Sequence, residues 1–173
     1  MKKKLIVING TMGVGKTTVS EHLYQSLDRV VWLDGDWCWM MNPWVVNEET
    51  TQMVENNIAY LLKNYLSNQA FDTVLFSWVL HREEIVNRML EQLADLEFEL
   101  ERITLMCSEA ELRRRMVRDN RTQEQISRSI ERLKLYNDMS IIQLDTTGLT
   151  VTEIAERIKN IVAGPRRAHY DKL

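Results

Sequence analysis

A chain of 173 residues, 45% of them hydrophobic, can bury one core of ordinary size and is too short for two comfortable domains. Its 22 basic and 25 acidic residues leave a formal charge of -3, which argues against wholesale nucleic-acid binding, because displacing phosphate counterions needs a net basic footprint. Cys38 and Cys107 match no metal-ligand spacing and no disulfide framework, so they read as free thiols in a reducing cytosol. The apolar run after Lys2, Lys3 and Lys4 covers only Leu5 to Ile8, too short for an export signal. No run approaches the roughly 20 residues needed to cross a bilayer, so a cytoplasmic protein without a membrane partner is expected.

Short apolar runs then alternate with longer amphipathic ones. Strands are expected at Leu5–Asn9, Val30–Asp34, Phe71–Val79, Phe98–Cys107 and Ile141–Asp145, all β-branched or aromatic in character. Helical patterns fall at Thr17–Leu27, at Glu48–Leu66 with Val54, Ile58, Leu61, Leu62 and Tyr65 on one stripe, at Glu83–Leu93, and at Ala110–Met139. A last helix is announced by Thr150 and Glu153, a capping box in which hydroxyl and carboxylate satisfy free amide donors. The alternation predicts an α/β fold: a five-stranded parallel sheet with helices on both faces, and ligands at the carboxyl ends of the strands.

Two connections are longer than crossovers need. Residues 35–47 hold Trp37, Trp39, Pro43 and Trp44, and a second break falls around Asn120–Gln125. The first is assigned to the acceptor side and the second to a short helical lid at about 119–127. Domain and lid together span 1–163. Residues 164–173, opening with the helix-stopping Gly164–Pro165, form a tail without assigned chemistry.

The run Gly10-Thr11-Met12-Gly13-Val14-Gly15-Lys16-Thr17 satisfies G-x-x-x-x-G-K-[ST] between a strand and a helix start. Glycines let the backbone curl so that amide hydrogens from this loop and Thr18 point at phosphate oxygens, helped by the helix dipole. Lys16 sets a cation against the β and γ phosphates, and Thr17 offers a hydroxyl to Mg²⁺. The N-K-x-D of a GTPase is absent, and Asp145-Thr-Thr-Gly148 has the letters of D-x-x-G only after the last strand.

Asp34 closes an apolar strand, where its carboxylate can hold a metal-bound water. Asp36, two residues on, can reach an acceptor hydroxyl and take its proton. Arg113, Arg114, Arg115, Arg118 and Arg121 crowd the predicted lid, and guanidinium forks match a transferring phosphoryl group. Arg118 or Arg121 is expected on phosphate, and Arg114 or Arg115 over adenine. Trp37 and Trp78, with His81 and Arg82 after the third strand, are assigned to the acceptor, and Trp39 and Trp44 fall on the same side. His22 reads as a surface residue of the first helix.

On these motifs the chain resembles the nucleoside-monophosphate-kinase-like group of P-loop small-molecule kinases, and within it the shikimate and gluconate kinase branch, with chloramphenicol phosphotransferase in the wider group. Gly10, Gly13, Gly15, Lys16 and Thr17 fit that branch's G-x-x-G-x-G-K-[ST], and Asp34-Gly35-Asp36 is similar to the D-x-D of shikimate kinases. The resemblance implies that Asp34 supports the metal and Asp36 binds the acceptor hydroxyl, and that Arg114 and Arg121 are the adenine-stacking and lid arginines. The chain departs from the pattern where Ser77-Trp78-Val79 replaces a triple glycine and where Arg121-Thr122 replaces R-P.

The expectation is an ATP- and Mg²⁺-dependent enzyme, monomeric or homodimeric, that moves the γ-phosphoryl group to a hydroxyl of a small molecule. A nucleoside monophosphate kinase and a non-catalytic nucleotide-binding switch are the alternatives. The first wants arginines after the second and third strands, where only Arg82 qualifies, and the retained Asp34 and Asp36 count against the second.

Overall fold

Alternation along the first strand fixes the layers. In β1 (Lys3–Asn9), Leu5 and Val7 face one side of the sheet and Ile6 and Ile8 the other, and all four are buried, so both faces must be covered. The computed structural model describes residues 2–137, 139 and 142–164. After β1 come α1 (Lys16–Ser26), β2 (Val30–Asp34), a 3-10 turn (Gly35–Trp39), α2 (Glu48–Ser67), β3 (Thr73–Trp78) and α3 (Glu83–Glu91). The chain continues through β4 (Phe98–Met106), α4 (Glu109–Arg118), α5 (Gln123–Leu135), β5 (Ile142–Asp145) and α6 (Val151–Ala163).

The five strands pair in the order β2-β3-β1-β4-β5, and every pairing is parallel. Because β1 lies between β3 and β4 while the chain leaves it toward β2, the loop after β1 opens at the point where strand order reverses. On one face, Ile6 and Ile8 join Val19 and Leu23 of α1, Leu112 and Met116 of α4, Ile126 and Ile130 of α5, and Ile154 and Ile158 of α6. On the other, Leu5 and Val7 pack with Val54, Ile58 and Leu62 of α2 and Val86 and Met89 of α3. The stripe expected on α2 is therefore its buried face, although Leu61 and Tyr65 lie at its margin.

All five expected strands are present, three of them with ends shifted by a residue or two, and the expected start of the fifth at Ile141 lies outside the described residues. The third starts at Thr73 because Phe71 and Asp72 turn into it, the Asp72 amide donating to the Arg29 carbonyl at 2.8 Å. The Thr150 capping box is formed: the Thr150 amide donates to Glu153 Oε2 at 2.8 Å and the Glu153 amide to Thr150 Oγ1 at 3.3 Å.

The stretch Ala110–Met139 is two helices, broken at Asp119–Thr122. Asn120 takes a left-handed φ of 54°, and Thr122 starts the next helix by accepting the Gln125 amide at 3.2 Å. The lid assigned to 119–127 is correspondingly a turn, with residues 123–127 already in α5. Apart from Gly164, the tail assigned to 164–173 lies outside the described residues. Among the described residues no helix is long and apolar enough to cross a membrane.

Candidate active site

The loop after β1 is held from three directions before any ligand is considered. At its start, buried Asn9 accepts the amides of Gly10 at 2.7 Å and Leu80 at 2.8 Å and donates to the Leu80 carbonyl, tying the loop to the chain leaving β3. Thr11 Oγ1 donates to the Ser129 carbonyl of α5 at 2.9 Å, and Arg115 of α4 donates to the Val14 carbonyl at 2.8 Å. Gly13 has φ 83°, and a Cβ there would come within 2.4 Å of Met116, so loop and α4 approach as closely as they do only because no side chain intervenes. Gly15 precedes α1 at φ 107°, leaving the helix amides uncovered by any side-chain cap.

Lys16 is buried, and its Nζ donates to the Thr11 carbonyl at 3.1 Å. Burial pulls its pKa down to about 8 against the opposing charges of Asp36 and Asp34, and Arg132 lowers it further. A cation held so reluctantly is poised for an anionic ligand.

Behind it, Thr17 Oγ1 donates to Asp34 Oδ2 at 3.0 Å, and Asp34 Oδ1 accepts the Asp36 amide at 3.1 Å. The Thr17 proton is thereby committed to Asp34, which turns the oxygen's lone pairs outward. Mg²⁺ keeps most of its waters and takes few protein ligands, so a hydroxyl backed by a carboxylate fits it. Among the described residues there is no cluster of three or more His, Cys, Asp or Glu side chains able to hold a metal by themselves.

From these groups a cleft of about 1140 Å³ runs to both ends of the site. At one end are Asp36, Trp39, Met40, Trp44, Trp78, His81 and Arg82. The 3-10 turn explains the selection, since residues three apart in it eclipse, putting Asp36 and Trp39 on the same side. Trp37 is a correction to the sequence reading. It does not line the cleft, and its ring lies 5.0 Å from that of Trp32 on the opposite side of the turn.

The Asp36 carboxyl is pushed above the usual carboxylate range by burial and then by Asp34, with Lys16 and a hydrogen bond from Trp78 acting the other way. His81 is lowered by burial and by the charges of Arg132 and Arg82. Its Nδ1 is buried and has no hydrogen-bond partner among the described residues.

At the other end are Arg114, Arg115, Arg118, Arg121 and the chain from Leu149 to Val151 that enters α6. Arg115 is not available to lie over a base. It donates to the Val14 carbonyl and to both the carbonyl and hydroxyl of Thr146, and its Nε is held by Glu111 at 2.7 Å. Arg114 remains as the candidate, 63% exposed in its side chain and bidentate to Glu111 at 2.7 and 2.9 Å. The two arginines hold the Glu111 carboxyl down at about 2. Arg118 reaches Asp119 at 3.4 Å, and Arg121 lines the cleft with no ion-pair partner among the described residues. Met12, Gly13, Val14, Gly15, Lys16, Thr17 and Thr18 all line the cleft, whereas Gly10, Thr11 and Asp34 stand behind it as supports.

Sequence reasoning missed several residues. Arg132 of α5 lines the cleft, and its charge is felt by Lys16, His81 and Tyr136. The available signal was a cation set three residues after Ser129 and four before Tyr136, both fully buried. Glu55 of α2 lines the acceptor end while buried, its two oxygens taken by Arg88 of α3 at 2.8 and 2.9 Å. The Thr150 capping box announced the start of α6 but nothing in it signalled that Leu149 to Val151 line the cleft.

A phosphate-binding loop at the switch point of a parallel sheet, opening into a cleft with two chemically different ends, defines a P-loop nucleotide-binding protein. A family model for the AAA domain matches residues 6–135, and the chain belongs to that family. No curated protein matches the sequence.

Among solved structures, the Deinococcus radiodurans tunicamycin resistance protein superposes with a TM-score of 0.76 at 19% identity, over 95% of this chain and 98% of its own. A gluconokinase from Sinorhizobium meliloti gives 0.66 at 15% identity over 91% and 89%. Shikimate kinase from Acinetobacter baumannii, in complex with shikimate, gives 0.65 at 20% identity over 92% and 93%. The fold is that of the branch which the motifs resemble.

Proposed function

We propose that this chain transfers the γ-phosphoryl group of ATP to a hydroxyl group of a small molecule. The observation that carries the reading is Lys16 and Asp36 lining one continuous cleft and close enough for each to shift the other's protonation. A cation for the phosphates and a carboxylate for the acceptor proton are the two groups that such a transfer asks of the protein.

ATP would lie along the P-loop amides with its base between Arg114 and the chain entering α6. Lys16, Arg132 and either Arg118 or Arg121 would neutralise charge on the transferring group. Mg²⁺, held through Thr17 with Asp34 behind it, supplies charge neutralisation on the phosphates when bound. Asp36 accepts the hydroxyl proton as the bond to phosphorus forms.

A nucleoside monophosphate acceptor would need free arginines around its own phosphate. Arg88 is already committed to Glu55, which leaves Arg82 at that rim and favours an alcohol acceptor. The intact Lys16, Thr17, Asp34 and Asp36 favour an enzyme over a passive nucleotide switch.

The test is ADP release with Mg²⁺-ATP against pooled alcohols, sugar acids, nucleotides and tunicamycin, with mass spectrometry of the products. Acceptor-dependent ADP release and a product heavier by one phosphoryl group support the reading. Release that no acceptor stimulates, with no phosphorylated product, removes it.

A further inference from the structure

One acid lines the cleft where a nucleotide would bring its own negative charge. Glu111 of α4 borders it together with the P-loop, and its carboxyl, held down at about 2, stays ionised. A carboxylate beside a polyphosphate site repels the ligand, so on charge alone this residue weakens binding.

Its contacts give it another use. Oε1 accepts Arg114 Nη2 and Arg115 Nε, both at 2.7 Å, while Oε2 accepts Arg114 Nε at 2.9 Å. Residues three and four places after Glu111 return to its side of the helix, so one carboxylate meets both guanidinium groups. Ser108 Oγ accepts the Glu111 amide at 3.2 Å and fixes the turn that carries it.

Beyond Glu111 the two arginines diverge. Arg115 Nη1 donates to the Val14 carbonyl in the P-loop at 2.8 Å and to Thr146 Oγ1 at 3.1 Å, and Nη2 donates to the Thr146 carbonyl at 2.8 Å. That same carbonyl accepts the Leu149 amide at 3.2 Å, in the turn leading to α6. Arg114, 63% exposed, has a side chain ordered by its fork to Glu111. A free arginine spreads over many rotamers, and ordering it would be charged against the ligand. The P-loop and both walls assigned to the base, Arg114 and the chain from Leu149 to Val151, are thus tied to one carboxylate.

We infer that Glu111 is a positioning residue which, through Arg114 and Arg115, holds the base slot in register with the P-loop and so lets the protein tell a nucleotide from a bare polyphosphate. This rests on the kinase reading, which places the base between Arg114 and the chain entering α6.

The experiment uses the full chain with Mg²⁺ and compares a non-hydrolysable ATP analogue with inorganic tripolyphosphate by calorimetry. The proteins are the parent, Glu111→Gln, Arg114→Ala and the double variant, each melted without ligand to check folding. Glu111→Gln is expected to raise the Kd of the analogue by about tenfold, the scale of losing a charge-assisted hydrogen bond. Tripolyphosphate should bind it as well as before or better, because a negative charge has gone. Arg114→Ala should cost the analogue about as much, and the double variant no more than either single change, since both act through one contact. Glu111→Asp keeps the charge and shortens its reach. Measured in parallel, it should again weaken the analogue and spare tripolyphosphate, which preserves the comparison if Glu111→Gln melts early.

Equal weakening of both ligands by Glu111→Gln overturns the inference and gives Glu111 a merely structural role at the P-loop. Tighter binding of both overturns it too, leaving only a repelling charge. Additive losses in the double variant remove the path through Arg114 and with it the inference. A parent protein that prefers the analogue, with that preference intact in the Glu111 variants, overturns the inference alone. A parent that binds the analogue no better than tripolyphosphate removes the placement of the base, and the inference falls with it.

Discussion

Thr17 donates its hydroxyl proton to one oxygen of Asp34 at 3.0 Å while the other oxygen accepts the Asp36 amide at 3.1 Å. One buried carboxylate thus fixes both the group proposed for the metal and the backbone that carries the proposed base. Positions on opposite sides of the reaction are coupled through it.

Asp34→Asn is therefore expected to lower the transfer rate by about 10²-fold, the scale of losing a positioned electrostatic group, and to raise the Mg²⁺ concentration needed for half-maximal activity. Thr17→Ser keeps the hydroxyl and should retain most activity, whereas Thr17→Val should behave like Asp34→Asn. Magnesium titrations of the three variants decide the point, and identical Mg²⁺ dependence in all of them would remove the assignment.

Lys16 predicts a proton inventory. With its pKa near 8 in the free protein, about half of the molecules hold it neutral at pH 8, and a bound triphosphate restores the charge. Nucleotide binding at pH 8 should then take up about half a proton, measurable by calorimetry in buffers of different ionisation enthalpy, and Lys16→Met should abolish that share.

The same shift acts on stability with a definite sign. Below pH about 8 both folded and unfolded chains hold the proton and the cost of burying the charge is fully present. Between about 8 and the ordinary value of 10.5 the unfolded chain binds more protons, so this residue makes the ligand-free protein relatively more stable as pH rises. Urea unfolding of parent and Lys16→Met across that window should show the difference in slope.

Arg115 and Arg114 are adjacent in sequence and should behave differently. Arg115 holds the Val14 and Thr146 carbonyls with a side chain only 12% exposed, so Arg115→Met strands buried acceptors and should cost about 1–3 kcal/mol of stability. Arg114→Ala should leave the melting temperature unchanged and raise the KM for ATP. A common effect of the two substitutions on both measurements would refute the separation of roles.

The motif, the strand order along the chain and the Thr150 cap were legible because each depends on residues close in sequence. Trp37 was misplaced because the reading treated residues 35–47 as an irregular loop, in which neighbouring tryptophans share a destination. In a 3-10 turn they do not, and Trp37 turns to Trp32. Arg132 and the Glu55–Arg88 pair were invisible for another reason. Their roles exist only once α5 lies over the P-loop and α3 lies beside α2, contacts between segments far apart in the chain.

Gly35 offers the last prediction because its reason is spatial and no sequence pattern signals it. A Cβ built there would stand 2.4 Å from Cγ and 2.6 Å from Cδ1 of Trp78, inside any tolerable contact. Trp78 is itself buried, so Gly35→Ala forces it to move, at about 1–3 kcal/mol by the usual cost of overpacking. The displaced ring lines the cleft with Asp36 and bears on its carboxyl, so acceptor turnover should fall while the KM for ATP, set at the other end of the cleft, changes little. A smaller partner tests the cause directly. If the clash is responsible, adding Trp78→Val to Gly35→Ala should cost less than the two single changes summed, a coupling read from urea unfolding of the four proteins. Additive losses would mean that the glycine is needed for its backbone and not for the space it leaves to Trp78.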